Sequence, residues 1–188
     1  MGSHLAVGVL HREGEVCAAH LPAMDSSHLN EEGGSKGSWG GYAMGYEGSG
    51  LMDWRSFNPR KLSDSTGGSE LIQGAAAMKA LLGWRILFRG LRQAQEPPSE
   101  LFVDASATIA GSDPELEKVP REMKYMAVRY AMLREAQNVG AARLVKVHTT
   151  VNPSDLMTKP IVGKQFEFLR GIVMGEWRWS RADQAPID

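Results

Sequence analysis

The chain has a single cysteine, Cys17, in 188 residues. One thiol cannot close an internal disulfide, which fits a reducing compartment. Net charge is also lacking: 21 Lys and Arg stand against 22 Asp and Glu, for a formal charge of −1. That balance excludes nucleic-acid binding driven by global electrostatics, so any such contact must come from a local patch. No apolar run approaches the roughly 20 residues that a membrane span needs. The amino terminus lacks the basic-then-apolar pattern of a signal peptide. The expectation is a soluble intracellular protein, cytoplasmic or nuclear. What is present, 43% hydrophobic residues, suffices for one domain with a real core.

Along the chain, "HLAVGVLH" (4–11) and "CAAHLPAM" (17–24) read as weak strands, although Pro22 counts against a central one. "GYAMGYEGSGLMDWRSF" (41–57) reads as a hairpin about the Glu47–Gly50 turn. "SELIQGAAAMKALLGWRILFRGLR" (69–92) is the clearest helix, with Leu71, Ala75, Met78, Leu82 and Ile86 on one face and Ser69 as a candidate cap. "LFVDASATIAG" (101–111) is a short buried strand ending at Asp104, then a small helix. A second long helix is expected from Arg121 to Val139, with Met123, Met126, Tyr130, Leu133 and Gln137 as its stripe and Gly140 ending it. "ARLVKVHT" (142–149) is a strand, and "KQFEFLRGIV" (164–173) a last short helix. An initial hairpin followed by alternating helices and strands predicts an α/β domain with a mixed sheet flanked by helices. The expected limits are a poorly defined extension over 1–16, the domain over 17–175 and a polar tail over 176–188.

Four acids fall where α/β proteins gather ligands, at strand ends and helix starts. Asp104 follows the apolar strand, Asp155 lies in "NPSDLMTKP" (152–160), Glu70 opens the long helix, and Asp25 follows the strand at 17–24. Four carboxylates meeting at one point repel each other unless cations fill the space, and hard oxygen donors suit Mg²⁺ or Mn²⁺. Each acid also has an ordinary reading. Asp25 suits a turn, Glu70 a macrodipole partner, and Asp104 and Asp155 suit helix caps, a role Ser154 could share. His148, at a strand end, is a candidate for proton transfer. The basic stretch before the long helix supplies Arg55, Arg60 and Lys61 as candidate phosphate contacts. Spacing alone does not decide among these.

The segment "NPSDLMTKPI" resembles the "NPADLLTKPL"-type segment closing the ribonuclease H domain of copia-type retrotransposon polyproteins. "DSSHLNEEGGSKGSWGGY" (25–42), "LMDWRSFNPRKLSDSTGGSELIQGAAAMKALLGWRILFRGL" (51–91), "ELFVDASATIAG" (100–111) and "VPREMKYMAVRYAMLREAQNVG" (119–140) are similar to further segments of that family, in its order. The family's Lys-His-Ile-Asp stands here as Lys124, Tyr125, Met126 and Ala127.

The resemblance implies a ribonuclease H-like fold. Its Asp, Glu, Asp, Asp tetrad would fall on Asp25, Glu70, Asp104 and Asp155, the four acids isolated above. It further implies two divalent cations, Mg²⁺ or Mn²⁺, and hydrolysis of the RNA strand of an RNA–DNA hybrid. Asp25 would bridge both ions, Asp155 would help hold the water-activating one, and Glu70 with Asp104 would serve the leaving-group side. The hybrid would be read by backbone shape and 2′-hydroxyls. The reverse transcriptase domain of a parent polyprotein is an implied partner, and the chain reads as a fragment or isolated descendant of such a polyprotein. Two further expectations compete: a fold that binds nucleic acid or a partner without catalysis, and a degenerate retroelement remnant.

Overall fold

The computed structural model describes residues 16–20, 40–46, 50–57, 66–96, 98–115 and 126–176. The expected strand at 4–11, together with Pro22 and Met123, lies outside them. Five strands form one sheet in the order β3-β2-β1-β4-β5: β1 (Val16–His20), β2 (Gly40–Tyr46), β3 (Gly50–Phe57), β4 (Ser99–Val103) and β5 (Ala142–Lys146). The β2–β3 hairpin forms as expected and pairs antiparallel to β1. On the other side β1 pairs parallel with β4, and β4 parallel with β5. The sheet is mixed, and β1 is its central strand.

Strand β4 is buried at all five positions. A strand paired on both edges with both faces covered reads as a continuous run rather than an alternation. Its side chains still alternate. Leu101 and Val103 join the core with Leu71, Met78, Leu81, Tyr130 and Leu133 from the helices α1 (Thr66–Gly90) and α3 (Ala127–Asn138). Phe102 turns to the opposite face, where it packs with Val147, Val151 and Phe168. Phe168 belongs to α4 (Gly163–Val173). The polar Glu100 is tolerated inside β4 because Arg143, its register partner on β5, reaches its carboxylate.

Helix α1 starts at Thr66, so Ser69 is not its cap but a buried residue inside it. The buried face carries Leu71, Ala75 and Met78 as expected, then Leu81, while Ile86 is 63% exposed. The reason is geometric: a 25-residue helix, about 37 Å long at 1.5 Å per residue, outruns the short strand it packs on. Contrary to expectation, one segment, Gly67–Gly90, is long and apolar enough to cross a bilayer on length and composition alone. In the fold its Leu71, Ala77, Met78 and Leu81 are fully buried against the sheet and α3, as in a core helix. Each such leucine contributes about 1.5–3 kcal/mol of burial.

Helix α3 buries Tyr130 and Leu133 as expected. Gln137 is half-buried and bonds the backbone of both the Ser112 carbonyl and the Leu144 N–H. Gly140, at φ +66°, ends the helix. The Gly140 N–H reaches the Gln137 carbonyl and the Ala141 N–H reaches that of Ala136, a Schellman closure. Between β4 and α3 runs the short helix α2 (Ser106–Gly111). Two 3-10 turns, Thr149–Val151 and Pro153–Met157, link β5 to α4.

Candidate active site

The parallel pairing puts the carboxyl end of β4 between those of β1 and β5. His20 of β1 and Lys146 of β5 are both partners of Val103, and Asp104 is the next residue. Asp104 does not cap α2, whose N-cap is Ala105 with no side-chain bond. Its Oδ1 is buried and has no hydrogen-bond partner among the described residues. Burial, with the Asp155 charge next and Glu70 adding to it, pushes its carboxyl up to about 7, while Lys159 and Lys146 oppose the shift.

Asp155 sits in the second 3-10 turn and is 2% exposed. The cap of that turn is neither Ser154 nor Asp155 but Asn152, whose Oδ1 accepts from the Ser154 N–H at 3.3 Å and from its hydroxyl at 2.9 Å. Asp155 is thereby released from capping. Its Oδ2 takes the Lys159 ammonium at 2.7 Å, and its Oδ1 is buried without a partner among the described residues. Burial raises this carboxyl too, against the pull of Lys159. The turn reaches the sheet because Gly41 of β2 has no side chain: a Cβ there would stand 2.9 Å from Met157 Cβ.

Glu70 is the fifth residue of α1, past its first turn, so it is not the terminal macrodipole partner either. Burial raises its carboxyl, and Lys146 partly offsets this. Glu70, Asp104 and Asp155 therefore come from a helix, a strand end and a 3-10 turn into one electrostatic neighbourhood, with Asp104 feeling both of the others. Asp25 lies outside the described residues, as do Arg60 and Lys61. Arg55 lies on the edge strand β3 rather than in the loop that follows, exposed, with its guanidinium 4.9 Å above the Phe57 ring. His148 caps the first 3-10 turn, its Nδ1 accepting from the Thr150 N–H at 3.3 Å.

Two lysines were not assigned from the sequence. Lys146 donates to the Asp104 carbonyl and is the last residue of β5. Lys159 holds Asp155. The four-residue spacing of Asp155 and Lys159 was a legible signal once the segment is taken as helical.

Solved structures share this architecture. The chain is similar to ribonuclease H1 of the halophilic archaeon Halobacterium salinarum NRC-1, at 13% identity and a TM-score of 0.51 over 76% of this chain and 93% of that one. It is also similar to LC11 ribonuclease H1, solved in complex with an RNA/DNA hybrid, at 10% identity and a TM-score of 0.52 over 77% and 94%. The chain has the ribonuclease H fold. A third likeness is to the N-terminal ribonuclease H domain of rv2228c from Mycobacterium tuberculosis, solved as a fusion with maltose-binding protein. There the identity is 8% and the TM-score 0.50, over 86% and 99%. No protein-family model matches the chain, and no curated protein does.

The chemistry of these carboxylates suits a hard divalent cation. The donors are carboxylate oxygens, and two of them, Asp104 Oδ1 and Asp155 Oδ1, are buried and unpartnered among the described residues. Among the described residues, no three acidic, histidine or cysteine side chains stand close enough to chelate one ion.

Proposed function

We propose that the chain is a metal-dependent endonuclease of retroelement origin that hydrolyses the RNA strand of RNA–DNA hybrids. The observation that supports this reading is a pair of buried carboxylates, Asp104 after β4 and Asp155 in the second 3-10 turn, each with an Oδ1 that has no partner among the described residues. Buried polar atoms are nearly always paired, so two orphans in one acidic cluster point to a ligand. The fold, the neighbour solved with an RNA/DNA hybrid and the ordered copia-type segments of the sequence support the same reading.

In this proposal Asp25, Glu70, Asp104 and Asp155 hold Mg²⁺ or Mn²⁺. When bound, such ions would supply a nucleophilic water and stabilise charge on the leaving oxygen. Asp104 and Asp155 must both be ionised to act as ligands. Lys159 and Lys146 favour that state by opposing the effects of burial and mutual repulsion. Arg55, Arg60 and Lys61 contact hybrid phosphates. His148, with Nδ1 engaged by the Thr150 N–H, moves a proton through Nε2. A reverse transcriptase domain of the same polyprotein is the proposed partner, and the site of action is intracellular.

The test is cleavage of a labelled RNA–DNA hybrid by the purified chain in Mg²⁺ or Mn²⁺, beside the D104N variant and an EDTA control. Metal-dependent cutting by the parent chain alone supports the reading. Cutting that D104N matches overturns it. A second reading has its own observation: without a three-ligand set among the described residues, the fold would bind hybrid without cutting it. Hybrid binding unaffected by EDTA, with no cleavage, identifies that case.

A further inference from the structure

We infer that Lys159 is a positioning residue for divalent-cation binding: it occupies Asp155 Oδ2 and leaves Oδ1 as the single oxygen presented to the ion. The inference rests on the metal-dependent reading above and names a residue outside the acidic tetrad.

The geometry starts from the turn. Asp155 accepts twice through its backbone carbonyl, from the Lys159 N–H at 2.9 Å and the Thr158 N–H at 3.2 Å. This closes one tight turn of chain and sets residue 159 over the carboxylate of residue 155. The Lys159 side chain, itself mostly buried, then folds back onto Oδ2 at 2.7 Å. A buried carboxylate can bind through one oxygen or through both. Here one oxygen has a charged donor and the other has no partner among the described residues. A ligand approaching Asp155 thus meets a carboxylate whose rotation is already fixed and whose open valence is defined. Partners of this kind, which hold a metal ligand without touching the metal, set its orientation. Lysine is suited to this task because its ammonium carries three donors on a stem long enough to reach back one turn.

A bystander lysine would behave in the opposite way. A positive charge beside a cation site repels the incoming ion, so removing it should tighten binding. Positioning requires that removal weaken binding. The two cases differ in sign.

The experiment is calorimetric titration of the full-length chain with Mn²⁺ in the absence of nucleic acid, for the parent, K159M, K159Q and K159R, with melting recorded in EDTA to confirm folding. K159M is expected to bind Mn²⁺ about 10- to 100-fold more weakly, the range found when the partner of a metal ligand is removed. K159R, which keeps charge and donor, is expected to restore most of the affinity. If K159M fails to fold, K159Q against K159R carries the same comparison, with Gln expected about tenfold weaker or more. On hybrid substrate, a higher Mn²⁺ requirement at unchanged KM accompanies the loss. Equal or tighter Mn²⁺ binding by K159M or K159Q overturns the positioning role while leaving the nuclease reading intact. A parent chain that binds no Mn²⁺ overturns both.

Discussion

Asp104 and Asp155 each bury an Oδ1 that is unpartnered among the described residues, and burial, with the charge of Asp155 next, drives the Asp104 carboxyl up to about 7. Two acids held in this way destabilise the fold they belong to, so their placement is strain that the scaffold carries. Such strain is characteristic of sites whose ligand completes the charge balance.

Replacing Asp104 with Asn keeps the shape and removes the charge. The expected outcome is a metal-free protein more stable by on the order of 1–3 kcal/mol at pH 8, together with loss of hybrid cleavage. Denaturant unfolding in EDTA and a cleavage assay read the two effects. A variant less stable than its parent at pH 8 contradicts the account of the cluster.

The pH dependence follows with a definite sign. The folded Asp104 carboxyl titrates at about 7, whereas an unfolded one titrates near 3.9. Between these values the folded state holds a proton that the unfolded state has lost, so stability falls as pH rises, by at most about 1.4 kcal/mol per pH unit. The loss is complete above the folded value and absent below the unfolded one. Stability of the metal-free chain should therefore drop between pH 5 and pH 8, with much of the drop missing in D104N. Saturating Mn²⁺ should flatten it as well, since the ion binds the ionised form. Guanidinium midpoints at pH 5, 6, 7 and 8 decide the matter.

Packing at Gly41 links the sheet to the site. A Cβ at that position would lie 2.6 Å from the Arg55 carbonyl and 2.9 Å from Met157 Cβ. Backbone on one side cannot give way, so the 3-10 turn bearing Asp155 must shift. G41A is expected to cost about 1–3 kcal/mol and to weaken Mn²⁺ binding along with it. Unchanged melting and unchanged Mn²⁺ affinity would sink this view of the turn.

Much of this was legible in residue patterns. The apolar run at Leu101–Val103 ending on Asp104 marked a buried strand with a polar terminus, and Gly140 marked the end of α3. Long-range geometry was not legible. Nothing local shows that α1 runs past the edge of its packing surface, leaving Ile86 exposed and substituting Leu81 for Leu82 on the buried face. Candidate caps were misassigned for a related reason. Ser69 and Ser154 have the right chemistry, but α1 begins earlier and Asn152 takes the second 3-10 turn. Capping depends on where the first N–H groups fall, which a shift of two residues changes. Lys159 went unassigned because its role exists only once the chain between it and Asp155 closes into a turn.

Asn152 offers the sharpest separation of cap from ligand. Its side-chain oxygen satisfies the Ser154 N–H and hydroxyl, and its backbone carbonyl accepts from the Asp155 N–H at 3.1 Å. N152A removes only the side-chain contribution. It leaves the buried Ser154 donors unsatisfied, at an expected cost of about 0.5–2 kcal/mol. Asp155 keeps its backbone bonds and its lysine. Mn²⁺ affinity should therefore fall far less than in D155N, even though the two variants touch the same turn. Calorimetry on the pair checks this. If N152A matches D155N in Mn²⁺ binding, the turn and not the carboxylate controls the site, and the assignment of Asp155 as a ligand fails.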